Sequence, residues 1–253
     1  TSITASSLVK VTDNYDRDDL GTGATTTSST GTTGNNYGIY ASGRVDNRGT
    51  IDFSQGVGNI GAYSYTKGAT TTPNSIRNYG TINVSKSDLQ TNPDDRKYGI
   101  GMAAGYKSSD SGNIINSSSG IINVTGKNSI GMYATGPLST ATNKGTINLS
   151  GENSVGMYLD NGATGINEGT ITTVGSPKGA KGVVLSNNSK LINRAGAKIN
   201  INSAEGFGIY RVNSKETNIT VVNYGDITVG GGATAHGEYD PTGGKPLEKT
   251  AGG

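Results

Sequence analysis

Few residues in this 253-residue chain could do chemistry. Asp88, Asp94 and Asp95 fall within one short stretch beside Arg96 and Lys97, and general acid–base work is the sharpest role open to them. Lyase or hydrolase chemistry needs carboxylates that converge on a cleft. These acids cluster in a single loop instead of recurring on one face, so a solvated charge run is the favoured reading. Asp16, Asp18 and Asp19 supply the oxygen density of a Ca²⁺ site. They lack both a spaced bidentate Glu and the glycine–aspartate nonapeptide of calcium-binding β-rolls, which favours a plain polar turn. His236 is the only histidine and there is no cysteine, so no Ser/His/Asp or Cys/His arrangement can be built elsewhere. No catalytic, metal-binding or cofactor-binding residue is assigned, no cofactor is expected, and the chain is read as a non-enzyme.

Binding is the better use of the polar and aromatic groups. Tyr65, Lys67, Asp94, Asp95, Arg96, Tyr98, Tyr106 and Lys107 lie in or beside three insertions, near residues 64–75, 86–97 and 104–113. Loops on a rigid scaffold commonly carry function, although loops also tolerate insertion without any role. Tyr40, Tyr63, Tyr133, Tyr158 and Tyr210 form a second group that the repeat places on one outward face. Their structural role is ring stacking and shielding of backbone. Their alternative role is a sugar- or protein-binding face, because tyrosine presents apolar area with a hydroxyl handle.

The elements that position these groups are repeats. Asn143-Lys144-Gly145-Thr146-Ile147-Asn148-Leu149 leads, after a turn, into Ser154-Val155-Gly156-Met157-Tyr158. The first half recurs at Asn47–Ile51, Asn78–Ile82, Asn167–Ile171 and Asn223–Ile227, with degenerate copies at Ser118–Ile122 and Asn193–Ile199. The second recurs at Gly38-Ile39-Tyr40, Gly61-Ala62-Tyr63, Gly101-Met102, Gly131-Met132-Tyr133, Gly182-Val183-Val184 and Gly208-Ile209-Tyr210. A base period near ~25 residues, with β-branched runs broken by Gly, Asn and Ser, excludes a helix and indicates a solenoid.

Each copy holds three short strands. After the turn glycine, Ile51, Ile82, Ile122, Ile147, Ile171, Ile199 and Ile227 form one inward column. Phe53, Val84, Val124, Leu149, Thr173, Ile201 and Val229 form the next, since side chains alternate faces. In the Gly-x-Tyr strand, Ile130, Met132 and Ala134 are expected inside, as are Val155, Met157 and Leu159. Tyr37, Ile39 and Ala41 fit the same frame, with Ile60 and Ala62. A third strand precedes the Asn turn, with Val45, Ile76, Ile115, Ile166, Ile192 and Val222 inward and a phase that slips between copies. Three strands per copy stacking at ~4.8 Å give an all-β, right-handed parallel β-helix of about eight rungs. The turn Asn bonds its own backbone and tolerates left-handed geometry, stacked Asn side chains bond along the rod, and the following Gly supplies positive φ.

Composition agrees. Glycine accounts for 41 residues without a Gly-X-Y triplet, which excludes collagen. A net charge of +2 with scattered Lys and Arg is not that of a nucleic-acid binder. Absence of cysteine removes disulfide and thiol chemistry, and no apolar run is long enough to span a membrane. Beginning at Thr1, the chain is expected to be a piece of a longer or processed polypeptide. Residues 1–36 are expected to form an irregular first rung or cap, 37–229 the β-helix, and 230–253 an irregular tail.

The pairing of Asn-x-Gly-Thr-Ile-Asn-Val with Asn-Ser-Val-Gly-Met-Tyr resembles the passenger domains of type V autotransporters, over roughly residues 37–229. It looks most like the large fusobacterial autotransporter adhesins such as RadD. The resemblance implies a rod on the extracellular side of a Gram-negative outer membrane, anchored by a C-terminal β-barrel outside this sequence. It implies a glycan or protein partner on another bacterium or a host cell, no nucleic acid, no membrane insertion by this segment, and a monomeric fragment. The family carries no catalytic motif that transfers to this chain. The function expected is therefore a surface adhesin segment. The alternative is a β-helical stalk presenting a distal tip, and a glycan-degrading enzyme is a third reading, because β-helices also host polysaccharide lyases and hydrolases.

Overall fold

The structure is a computed structural model that describes residues 2–3, 8–9, 37–41, 43–92, 95–107, 109–212, 218–239 and 246–248. Among them 25 strands wind about 7 turns of a right-handed parallel β-solenoid with three sheets. The first sheet stacks every third strand from β1 (Ser2–Ile3) to β22 (Thr220–Asn223). The second runs from β2 (Leu8–Val9) to β23 (Asp226–Gly230), and the third from β3 (Tyr37–Ala41) to β24 (Thr234–Tyr239). Finally β25 (Pro246–Glu248) pairs antiparallel with β24.

The isoleucine column of the second sheet is the axis of the core. Ile51, Ile82, Ile122, Ile147, Ile171 and Ile199 are each fully buried and stack in register. Each contributes on the order of 2–3 kcal/mol by leaving water, which is how a chain with only 31% hydrophobic residues supports a fold. A second continuous element lies at the corner after the first sheet. Asn47, Asn78, Asn116, Asn143, Asn167, Asn193 and Asn223 form a ladder in which each Nδ2 donates to the next Oδ1 at 2.8–2.9 Å. All but the last are fully buried, so the ladder satisfies amide groups that would otherwise cost about 1–3 kcal/mol apiece.

The ladder also corrects the reading of the first sheet. Aligned on asparagine, the inward positions hold Val45, Ile76, Ile114, Ala141, Gly165, Leu191 and, exposed in the last strand of the sheet, Val221. Ile115, Ile166, Ile192 and Val222 face outward, half-buried, and the phase does not slip between copies. The apparent slip has two sources: adjacent apolar residues such as Ile114-Ile115, and turns of unequal length. Asn116 replaces Ser118 as the ladder residue of its copy, and Ala197 replaces Gly196 at the position stacked on the turn glycines.

Nor do the turn glycines work by positive φ, which occurs at Gly196 but not at Gly80, Gly145, Gly169 or Gly225. They are there for closeness. A Cβ on Gly145 would lie 2.2 Å from the Gly120 carbonyl oxygen, and one on Gly169 2.1 Å from that of Gly145. Left-handed backbone falls instead to asparagines of other turns, among them Asn128, Asn153 and Asn161.

The third sheet departs from simple alternation for a related reason. A Cβ on Gly131 would sit 2.8 Å from Ile147 Cγ2 and 2.7 Å from the Gly156 carbonyl oxygen. The same crowding recurs at Gly38, Gly61, Gly101, Gly156, Gly182 and Gly208, each against an isoleucine of the axial column. Glycine therefore occupies an inward position next to the inward Met or Ile, and the alternation shifts by one residue there. Met132, Ala134, Met157, Leu159, Ile39 and Ala62 lie in the core as expected. Tyr37, Ile60, Ile130 and Val155 do not. They belong to a second apolar cluster on the outer face of the sheet. The side chain of Ala41 lies outside the described residues.

Candidate functional site

That outer cluster is built from two columns. One reads Tyr37, Ile60, Ile100, Ile130, Val155, Lys181, Phe207; the other reads Tyr40, Tyr63, Ala103, Tyr133, Tyr158, Val184, Tyr210. Neighbouring rings touch where both rungs carry one: Tyr40 stacks on Tyr63 at 5.9 Å and 27°, and Tyr133 packs tilted against Tyr158 at 5.7 Å and 46°. Tyr63 is almost fully buried, at 3% exposure, while Tyr40, Tyr133, Tyr158 and Tyr210 are half-buried. The tyrosine column thus shields the backbone, as its structural role requires, but it is interrupted at Ala103 and again at Val184.

A cavity of about 310 Å³ opens at the first of these interruptions. Ala103 and Gly105 line it together with Ile60, Ile100 and Ile130, and the rings of Tyr63, Tyr133 and Tyr158. Tyr98 and Tyr106 join them from either side of β9 (Ile100–Ala104), so this rung, which lacks a column tyrosine, brings two from its flanks. The Tyr63 hydroxyl donates to the Gly105 carbonyl at 2.9 Å. Asp160 is the only charged residue in the lining among the described residues. Its Oδ1 accepts from the Asn161 backbone N–H at 2.8 Å and from Asn187 Nδ2 at 3.0 Å, and its Oδ2 makes a longer 3.4 Å contact with Asn161 Nδ2. Burial first, and then the Asp160 carboxylate, push the Tyr158 hydroxyl far above the usual phenol range. It stays protonated and able to donate at any physiological pH.

The insertions frame the cavity's setting. Those near 64–75 and 104–113 are joined by a short antiparallel bridge, Thr66 N–H to Ser111 carbonyl at 2.8 Å and the reverse at 3.1 Å. Buried Asp110 accepts from the backbone of Gly68 and of Lys107 at 3.1 Å each, which ties the two loops together. The insertion near 86–97 is a hairpin pinned by Asp88 and Lys97.

Of the eight candidate residues, Tyr98 and Tyr106 line the cavity. Tyr65 stacks on Tyr63 at 6.2 Å and 11°, within the outer cluster but behind the lining, and burial followed by the Asp110 carboxylate raises its pKa. Lys107 places Nζ 5.6 Å from the Tyr106 ring centroid, and Lys67 is exposed on its loop. Asp95 and Arg96 are exposed in the hairpin, where Asp95 accepts from Asn92 and Arg96 donates to the Gln90 carbonyl. Asp94, like Asp16, Asp18 and Asp19, lies outside the described residues. Asp88 accepts from Gln90, and His236 sits opposite Ile209 in β24, so neither reaches the cavity. Sequence reasoning missed Asp160 and Ala103. The signal for Ala103 was the gap in the Gly-x-Tyr pattern at Gly101-Met102-Ala103.

No curated protein and no solved structure matches the chain. Residues 4–170, more than half of its length, match the family described as BigA third pectate lyase-like domain. The match is to that family and not to a fusobacterial adhesin in particular. A pectate lyase-like β-helix is the fold seen, and the chain accordingly belongs to the BigA third pectate lyase-like domain family, a domain of the BigA surface-protein type.

Proposed function

We propose that this domain is an adhesive segment of a bacterial surface protein that binds a partner on another cell through the tyrosine-lined cavity of its third sheet, without chemistry. The observation that carries the reading is the cavity itself: five tyrosines and one carboxylate converge at the rung where the outer ring column is interrupted by Ala103. Its volume of about 310 Å³ falls at the lower end of ligand sites. Tyrosine is among the residue types enriched as anchors of such contacts. Family membership supports a surface-displayed, passenger-like role; the outer-membrane placement and the C-terminal barrel anchor belong to the proposal and rest on the autotransporter resemblance alone.

The test is a cell-binding assay with the labelled domain and a Tyr98→Ala/Tyr106→Ala variant. Tyr98 is 39% exposed and Tyr106 half-buried, so both can be truncated without opening the core. Saturable binding that drops at least ~10-fold in the variant, with an unchanged β circular-dichroism spectrum, is expected. Unchanged binding would remove the cavity from the adhesive role. A wild-type domain that binds no cell would favour the stalk, a reading supported by the insertion-free rungs between Thr140 and Arg211.

A further inference from the structure

We infer that the cavity at Ala103 takes one uncharged sugar ring and discriminates against acidic sugars. This rests on the reading of the domain as an adhesive segment and names the ligand of that same site. The first support is shape. Tyr63, Ala103 and Tyr133 are consecutive in register, so two tyrosine positions are separated by two rung steps, roughly 9–10 Å. Tyrosine rings on adjacent rungs already lie 5.7–5.9 Å apart along this column, Tyr40 stacked on Tyr63 and Tyr133 tilted against Tyr158. The interruption is thus about one ring thick, and a pyranose presenting its apolar C–H faces continues the column where the protein supplies only a methyl group.

The second support is polar chemistry. The polar side chains among the described lining residues are those of the tyrosines and Asp160; none carries a side-chain N–H group. That set accepts hydrogen bonds from ring hydroxyls at Asp160 and can return one from the Tyr158 hydroxyl. The third is sign. With Asp160 the only charged group among the described lining residues, a carboxylate-bearing sugar would enter an aromatic-walled site facing a like charge. A domain with a pectate lyase-like fold would therefore bind poorly the uronate polymers that such a fold name suggests.

The experiment measures binding of neutral hexose and N-acetylhexosamine oligosaccharides, and of uronate oligosaccharides of equal length, by titration calorimetry. It compares the wild type with Ala103→Tyr and Asp160→Asn. Ala103→Tyr installs the residue that the same column holds in the rungs on either side, so it fills the site while keeping the repeat. Saturable binding of at least one neutral series is expected, at least ~10-fold tighter than the matched uronate. It should fall at least ~10-fold in Ala103→Tyr, and Asp160→Asn should narrow the neutral-to-uronate gap. Should Ala103→Tyr not fold, Tyr98→Ala removes a ring from the same cavity and must show the same loss. Uronates bound as tightly as neutral sugars, or neutral sugars bound equally by the filled variant, would overturn the inference. So would a domain that binds no sugar yet loses cell adhesion when Tyr98 and Tyr106 are truncated; that result keeps the adhesive reading and makes the ligand a protein.

Discussion

The asparagine ladder and the tyrosine column are both one-residue-per-rung stacks, yet they behave differently. The ladder runs through Asn47, Asn78, Asn116, Asn143, Asn167, Asn193 and Asn223 without an exception, even where the turn that follows it lengthens from two residues to four. The tyrosine column, on the outer face, changes to alanine at 103 and to valine at 184. Burial explains the contrast. A missing rung in the ladder would leave an unpaired amide inside the corner, whereas a missing ring outside leaves a cavity that solvent or a ligand can fill. The fully buried stack is scaffold, and the half-buried stack is where variation is affordable and recognition can be placed.

The hardest way to break that comparison is to delete one ladder residue. Asn143→Ala removes the acceptor of Asn116 Nδ2 and the donor to Asn167 Oδ1, both at 2.9 Å. It should destabilise the domain by about 3 kcal/mol, the cost of orphaned buried polar groups and a small void. Asn223→Ala, at the exposed end of the same ladder with a single 2.8 Å ladder bond, should cost less than ~1 kcal/mol. Urea unfolding of the two variants checks the difference, and equal losses would mean that burial does not set the ladder's value.

Next in size is Gly131→Ala. The added Cβ meets Ile147 Cγ2 at 2.8 Å and the Gly156 carbonyl oxygen at 2.7 Å, backbone that cannot step aside. Overpacking of this kind costs about 2 kcal/mol. An alanine at Gly175, where a Cβ meets nothing within 4 Å, should cost only the strain of its φ of +72°, about 1 kcal/mol. A smaller loss at Gly131 than at Gly175 would show that inter-sheet closeness is not what keeps glycine in the Gly-x-Tyr strand.

These glycines also show what could and could not be read from the sequence. The isoleucine column was legible because one residue type recurs at one offset from a turn, and the adjacency of the first and third insertions followed from equal positions in neighbouring rungs. Phase was not legible where apolar residues adjoin, as at Leu191-Ile192 and Val221-Val222, because alternation then fits either face. The third sheet misled for a different reason: its inward glycine has no side chain to enter a hydrophobic pattern, so Ile130 and Val155 looked like core. At the site, Tyr98 and Tyr106 were recognisable as loop aromatics. Ala103 was not, since the feature it makes is a missing ring, and Asp160 stood unremarked beside the Gly-x-Tyr strand.

A gentler perturbation acts on the outer apolar column. Lys181 stands between Val155 and Phe207, its Nζ donating to the Gly179 carbonyl at 2.9 Å and lying 5.6 Å from the Tyr210 ring centroid. Burial lowers its pKa below the ordinary lysine value of 10.5. The unfolded chain therefore binds more protons than the native one in the window just below 10.5, and stability from this group rises with pH there. It is lost again as pH falls through the native value. Lys181→Met should change stability at pH 7 by less than ~1 kcal/mol and abolish that increment. Denaturation of both proteins between pH 8 and pH 10.5 isolates it as the difference between two curves, with other lysines and tyrosines common to both; parallel curves would remove burial as the cause.

The smallest effect is expected where the sequence drew most attention. Asp95 and Arg96 are exposed, and their hydrogen bonds stay within the hairpin: Asn92 Nδ2 to Asp95 Oδ2 at 3.0 Å, and Arg96 Nε to the Gln90 carbonyl at 3.0 Å. Replacing both by serine should shift stability by no more than about 0.5 kcal/mol, as for surface positions generally. Cell binding should be unchanged as well, because neither residue lines the cavity. The hairpin does enter β9 through Tyr98, so its backbone path matters even if its charges do not. Replacing residues 89–96 by a two-residue Asn-Gly turn that keeps the Asp88–Lys97 bridge would separate the two: binding lost on shortening but retained in the serine variant assigns the hairpin the task of holding Tyr98 at the cavity, whereas binding lost in both returns the site to the charged loop and severs it from the interrupted tyrosine column.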